Sequence, residues 1–142
     1  MIVGRKQQAS QEVQAKYLAD VALAANFDDL LAEAQSAEKQ YRRAQATTAP
    51  LAEQYKLARR LDAALTDAVH SGYAAVRAEI GPRGYDDRIY RRKAMATPVV
   101  HALNAEAERL LTMRETHLLT GIPPRPEPVG FEPQPLRALG SH

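Results

Sequence analysis

The stretch from Pro50 to Ile80 constrains this chain most, because both ends are set and a single apolar stripe runs between them. Pro50 follows Thr47-Thr48-Ala49 and suits a first helical position, where its missing N–H has no intrahelical acceptor to lose. Gly81 supplies the left-handed stop, and Pro82 cannot continue the helix. Between them Leu51, Tyr55, Ala58, Leu61, Leu65, Val69, Gly72, Val76 and Ile80 recur at a mean spacing of about 3.6, the helical period. Such a rod is roughly 46 Å long and cannot cover its own stripe. Gly72 lies on that stripe, which points to a close crossing by another helix.

The neighbours follow from the same rules. Ser10 is the expected N-cap of a first helix, with Val13, Tyr17, Val21 and Ala24 on one face. Asn26-Phe-Asp-Asp29 has the form of a second start, with acids in the first turn where the dipole favours them. The chain either kinks there or runs through as one long helix, and the kink is the expectation. Phe27, Leu30, Ala34, Ala37, Tyr41 and Ala44 then alternate by three and four, a short heptad-like seam. The link at residues 46–49 is short, so the flanking helices form an antiparallel hairpin. Folding about residue 48 would set Glu38 near Arg59 and Arg43 near Glu53, which makes the paired arginines solvated, salt-bridged faces. Gly81-Pro-Arg-Gly84 breaks the chain before a short helix that begins at Asp86-Asp87 and ends in Arg91-Arg92-Lys93. Thr97-Pro98 restarts a last helix, with Val100, Leu103, Ala107, Leu110, Arg114 and Leu118 on its stripe and Gly121 as its left-handed cap.

The expected fold is therefore all-α: an antiparallel hairpin or bundle of three to four amphipathic helices over residues 1–120, with an extended proline-rich tail over 121–142. That tail holds six prolines, and isolated Val129, Phe131, Leu136 and Leu139 serve as candidate anchors for an arm that docks on a partner. The core should be thin. Of 142 residues 45% are hydrophobic, but 26 of the 64 are alanine, which buries little area each. The preceding helix is shorter than the central one, so Val69, Gly72, Val76 and Ile80 are candidate protein-interaction residues, to be met by the last helix or by a second subunit.

Several function classes recede. There is no cysteine, hence no thiolate metal site or cysteine nucleophile. His70, His101, His117 and the terminal His142 have no metal-ligand spacing, and the first three read as helix-surface histidines. Gly81-Pro-Arg-Gly84 lacks the strand and the Lys-Ser/Thr of a phosphate loop. No enzyme, cofactor or membrane span is expected, and the compartment expected is intracellular and soluble, or an assembled particle. The net charge of +2 conceals one asymmetry: residues 81–97 hold five basic and two acidic groups, so the excess lies in one connector. There Arg83, Tyr85, Arg88, Tyr90, Arg91, Arg92 and Lys93 mix cations with aromatics, the pattern of a nucleic-acid contact. The leading expectation is a non-enzymatic structural subunit that forms homo-oligomers or joins a larger protein assembly, through alanine-rich faces and the carboxy-terminal arm. Particle connectors, adaptors and scaffolds share this build as an analogy of architecture. A nucleic-acid-binding helical module using residues 83–93 is the alternative.

Overall fold

The computed structural model describes residues 5–123, with side chains from Ser10 onward, and every regular element among them is helical. Five α-helices follow in order: α1 (Arg5–Ala24), α2 (Phe27–Ala46), α3 (Leu51–Ile80), α4 (Arg88–Met95) and α5 (Pro98–Thr116). A 3-10 turn, Pro82–Tyr85, precedes α4, and a π-helical turn, His117–Gly121, closes α5. The count exceeds the expected three or four because α1 and α2 are separate and α4 stands alone as a short helix. Val129, Phe131, Leu136 and Leu139 lie outside the described residues.

All the packing converges on α3. Helix α2 runs antiparallel to it, placing Ala34, Ala37 and Tyr41 against Ala58, Leu61, Ala64 and Leu65, with Ala44 also buried nearer the link. The three-four seam of α2 is thus the buried seam. On another flank α5 also runs antiparallel to α3, with Arg114 opposite Thr66, Ala107 opposite Gly72 and Val100 among Val76 and Ile80. The predicted stripe of α3 is buried from Ala58 to Ile80, while Leu51 in its first turn is 58% exposed. Eight of the sixteen buried hydrophobic residues are alanine. Small side chains let helices approach closely, and at Gly72 a Cβ would meet Ala107 Cβ and Phe27 Cε2 at 3.3 Å each. Gly72 is the close crossing its place in the stripe implies.

Several local expectations shift by a residue or more. Pro50 is not helical: its ψ of 145° is extended, and the helix begins at Leu51. The α1 helix starts at Arg5 and passes through Ser10, which caps nothing. Asn26 precedes α2 as expected but makes no side-chain cap hydrogen bond. The hairpin pairs Glu38–Arg59 and Arg43–Glu53 do not form. Instead Arg42 bonds Glu38 within α2, Arg59 lies 3.4 Å from Asp62 within α3, and Arg60 crosses to Glu33 at 2.7 Å and to Gln40 at 2.6 Å. Gly121 does not take positive φ; among the described glycines Gly81 alone does, at 95°. The α5 helix ends instead in its π turn, whose Gly121 carbonyl accepts a bond from the Tyr41 hydroxyl.

The α2–α3 link carries backbone strain. Ala49 N–H bonds the Ala44 carbonyl and Thr48 N–H bonds the Gln45 carbonyl, the paired bonds of a helix end whose key residue is left-handed. That residue is Thr48, at φ 52°, a β-branched side chain where glycine is usual. Thr48→Gly should therefore stabilise the fold by about 0.5–1 kcal/mol in urea titration, the relief of left-handed strain exceeding the entropy of glycine. Gly72→Leu should do the opposite and cost about 1–3 kcal/mol, because Ala107 and Phe27 leave no room. An unchanged midpoint for Gly72→Leu would show that α5 and α2 do not hold that spacing.

Candidate functional site

Three places bring polar groups together: the junction of α1 with α3, the basic end around α4, and a groove between α2 and α5. At the first, Arg77 on α3 grips Asp20 on α1 through both guanidinium arms, Nε to Oδ2 at 2.9 Å and Nη2 to Oδ1 at 3.0 Å. The Tyr85 hydroxyl, from the 3-10 turn, donates to the same Asp20 oxygen that Nε meets. Bonding to Arg77 holds the Asp20 carboxyl below the usual carboxylate range, and burial pushes the Tyr85 phenol above its ordinary value. A turn and a half further up α3, the fully buried Ser71 hydroxyl donates to the Leu23 carbonyl at 2.8 Å.

These bonds matter because α1 has little else. From Ser10 onward no α1 residue is fully buried. The face turned toward α3 and the 82–85 turn is Val13, Tyr17, Asp20 and Ala24, each half-buried. The expected face had Val21 in place of Asp20. The true row steps four, three, four, and leaves Val21 outward at 40% exposure beside Leu18 at 57%. Hydrophobicity favoured Val21; the signal for Asp20 was the arginine waiting at Arg77.

At the basic end, Gly84 is buried against Ile80, where a Cβ would collide with that side chain. The turn thus delivers α4 onto the end of α3. Asp87 caps α4 by accepting from Tyr90 N–H at 2.9 Å, while its other oxygen lies 3.4 Å from Arg83 Nε. The Tyr90 N–H, with Arg83 beside it, lowers the Asp87 carboxyl below its usual range. Tyr90 itself packs against Val76, Ile80 and Val100, with the Arg83 guanidinium 4.6 Å above its ring. The seven predicted contact residues therefore separate. Arg83, Tyr85 and Tyr90 are tied into the fold. Arg88, Arg91, Arg92 and Lys93 are exposed and form no ion pair among the described residues, though Arg91 reaches the Gly84 carbonyl at 3.3 Å.

The four other candidates, Val69, Gly72, Val76 and Ile80, are buried within the chain itself. Helix α5, Phe27 and Tyr90 cover them, so they present no surface to a second protein.

The groove was not legible in the sequence. His117, expected on the surface, is 8% exposed, and its Nε2–H donates to the Ala58 carbonyl at 2.8 Å. Tyr41 meets the His117 ring edge-on at 5.6 Å. The cavity beside them, about 340 Å³, has Leu61 and Leu65 as its floor and Thr112, Thr116 and the Glu38–Arg42 pair at its rim. Chemically this is a fastening of the α5 end. His70 and His101 are exposed, as expected. No cluster of metal-ligating side chains occurs among the described residues, and no helix there is long and apolar enough to cross a membrane.

Compared with protein-family models, curated proteins and solved structures, the chain matches none.

The pH response of α1 follows from Asp20. Its folded pKa lies below its unfolded value, so its contribution is complete above the unfolded value and fades as pH falls through the folded one. The α1 helix should stay docked above about pH 5 and loosen below about pH 4. Other carboxylates titrate there too, so the check is local: backbone amide NMR signals of residues 10–24. In Asp20→Asn those signals should already sit at their released positions at neutral pH, for a loss of about 1–2 kcal/mol in docking. Docked positions in that variant would mean that apolar contacts suffice to hold α1.

Proposed function

We propose that this chain is a non-enzymatic helical subunit that self-associates within a protein assembly, with α1 as its docking element. One observation carries this: α1 is a twenty-residue helix whose outward row is left unpartnered. Asp20 lies opposite Arg77, and Leu23 opposite Ser71, in antiparallel register. With α3 ending at Ile80, the part of α1 before Tyr17 runs roughly 18 Å past that end, beside the 82–85 turn. Isolated helical segments of this length are marginal in water and take their stability from tertiary packing.

The outward row is Ala15, Leu18, Val21 and Ala22, all exposed, with Ala15 three residues before Leu18 and Val21 and Ala22 three and four after it. Small residues around a leucine and a valine suit close pairing with an identical helix, and a two-fold axis makes one such row complementary to itself. A second copy of this chain is therefore the partner. The alanine seams that join α2 and α5 to α3 do not serve, since Ala34, Ala37, Ala58, Ala64, Ala68 and Ala107 are buried within the chain. The buried polar groups Ser71 and His117 hold α1 and α5 in place, which supports a scaffold role over chemistry at those residues. The arm with Val129, Phe131, Leu136 and Leu139 remains a second docking element on its sequence alone.

Sedimentation equilibrium tests the proposal. The wild-type chain should sediment at a multiple of 15.7 kDa, and Leu18→Glu with Val21→Glu should return it to a single mass with unchanged helicity. Deleting residues 122–142 separates the arm from α1. A single-chain mass for the wild type at every concentration overturns self-association.

A further inference from the structure

We infer that the outer face of α4 is a contact for the phosphate backbone of duplex nucleic acid, read without regard to sequence. The inference is independent of α1 pairing. In eight residues α4 carries Arg88, Arg91, Arg92 and Lys93 and no acid, and all four cations are exposed. Of the two acids just before it, Asp87 is committed to the Tyr90 N–H and to Arg83, which leaves Asp86 as the one uncommitted negative charge beside four positive ones. Arg88, Arg91 and Arg92 line one broad concavity with Asp86 and Asp87, with Arg83 and Met95 at its margin, and Lys93 follows them on the helix. Four cations within roughly 8 Å of helix rise match closely spaced phosphates, not a single small anion.

The rest of the geometry narrows the ligand. Single strands are held by bases stacked on exposed aromatic faces, and neither tyrosine here offers one. Tyr85 is bonded to Asp20, and Tyr90 is sandwiched between Arg83 and the apolar cluster of Val76, Ile80 and Val100. A lipid surface needs a free apolar face beneath the cations. The apolar side of α4, namely Tyr90, Ala94 and Met95, is packed on α3 and α5, which leaves Ile89 as its exposed large aliphatic residue. Cations without free rings or a free apolar face suit a backbone contact, which positions a duplex but reads no base edge.

Fluorescence anisotropy of the full-length protein with a labelled duplex of about 20 base pairs tests this at about 50 mM and about 200 mM salt. Four phosphate contacts predict a log–log salt slope of about −3.6, so binding should weaken about 100-fold across that range. Replacing Arg88, Arg91, Arg92 and Lys93 by glutamine should remove binding while leaving the helical circular dichroism intact. Replacing the three arginines by lysine, which keeps the charge, should retain most of it. Three results overturn the inference: no duplex binding at the lower salt, undiminished binding by the glutamine variant, or tighter binding of a single strand of equal length. Capture by phosphatidylserine vesicles without duplex binding would also overturn it, in favour of a membrane surface.

Discussion

The approach of Ala107 and Phe27 to Gly72 sets the spacing on which the other packing depends. Because Gly72 has no side chain, α5 and the start of α2 meet α3 at one level along its length. Away from that level the partners are again small, Ala37 and Ala34 on α2, Ala58, Ala64 and Ala68 on α3. The consequence is a close but area-poor core. An alanine buries a single methyl group, so many contacts among backbones yield little hydrophobic free energy per residue. Leu61, Leu65, Leu110, Val76 and Ile80 supply the larger share, and they lie where α3 faces α2, α5 and α4. A fold built this way is sensitive to any bulk placed at the crossing and tolerant of change at its outer ends.

Such a core reaches only as far as its apolar side chains do. The α1 helix lies beyond it, and its attachment is of another kind: a bidentate arginine–carboxylate pair, a tyrosine hydroxyl, and a serine bonded to a backbone carbonyl. Charge-assisted bonds of this geometry are directional, so they fix the register of α1 on α3 even without deep burial. They are also weaker than a packed seam, since the Arg77 side chain remains about half open to water and solvent screens the pair. Position is specified more strongly than attachment. That combination suits an element that meets another chain.

How much of this the sequence revealed depended on whether one residue type dominated the local balance. The stripe of α3, the seam of α2 and the start of α5 at Thr97-Pro98 were legible, because periodicity and proline act through the local backbone. The face of α1 was not. Val21 and Asp20 are adjacent, and hydrophobicity alone chooses the valine; only Arg77, fifty-seven residues away, makes the aspartate the inward residue. His117 failed for the same reason, since the Ala58 carbonyl that accepts its proton belongs to another helix. The basic connector was found, but its two tyrosines were read as free when tertiary contacts with Asp20 and the Val76–Ile80 cluster had already claimed them. Long-range polar partners leave no periodic trace, and these misreadings turn on groups held by contacts far along the chain.

Those same long-range contacts join the two outer surfaces. Tyr85 belongs to the turn that delivers α4, and its hydroxyl ends on the carboxylate that fastens α1. Gly84, one residue earlier, fits beneath Ile80 at the end of α3 and passes its carbonyl to Arg91 on α4. The outward row of α1 and the cationic face of α4 are therefore set by one cluster of five residues: Asp20, Arg77, Ile80, Gly84 and Tyr85. A displacement of α1 removes the acceptor of Tyr85, and a shift of the 82–85 turn moves both the cap of α4 and the partner of Asp20. The coupling needs no conformational pathway through the core, because the two surfaces share their anchoring atoms.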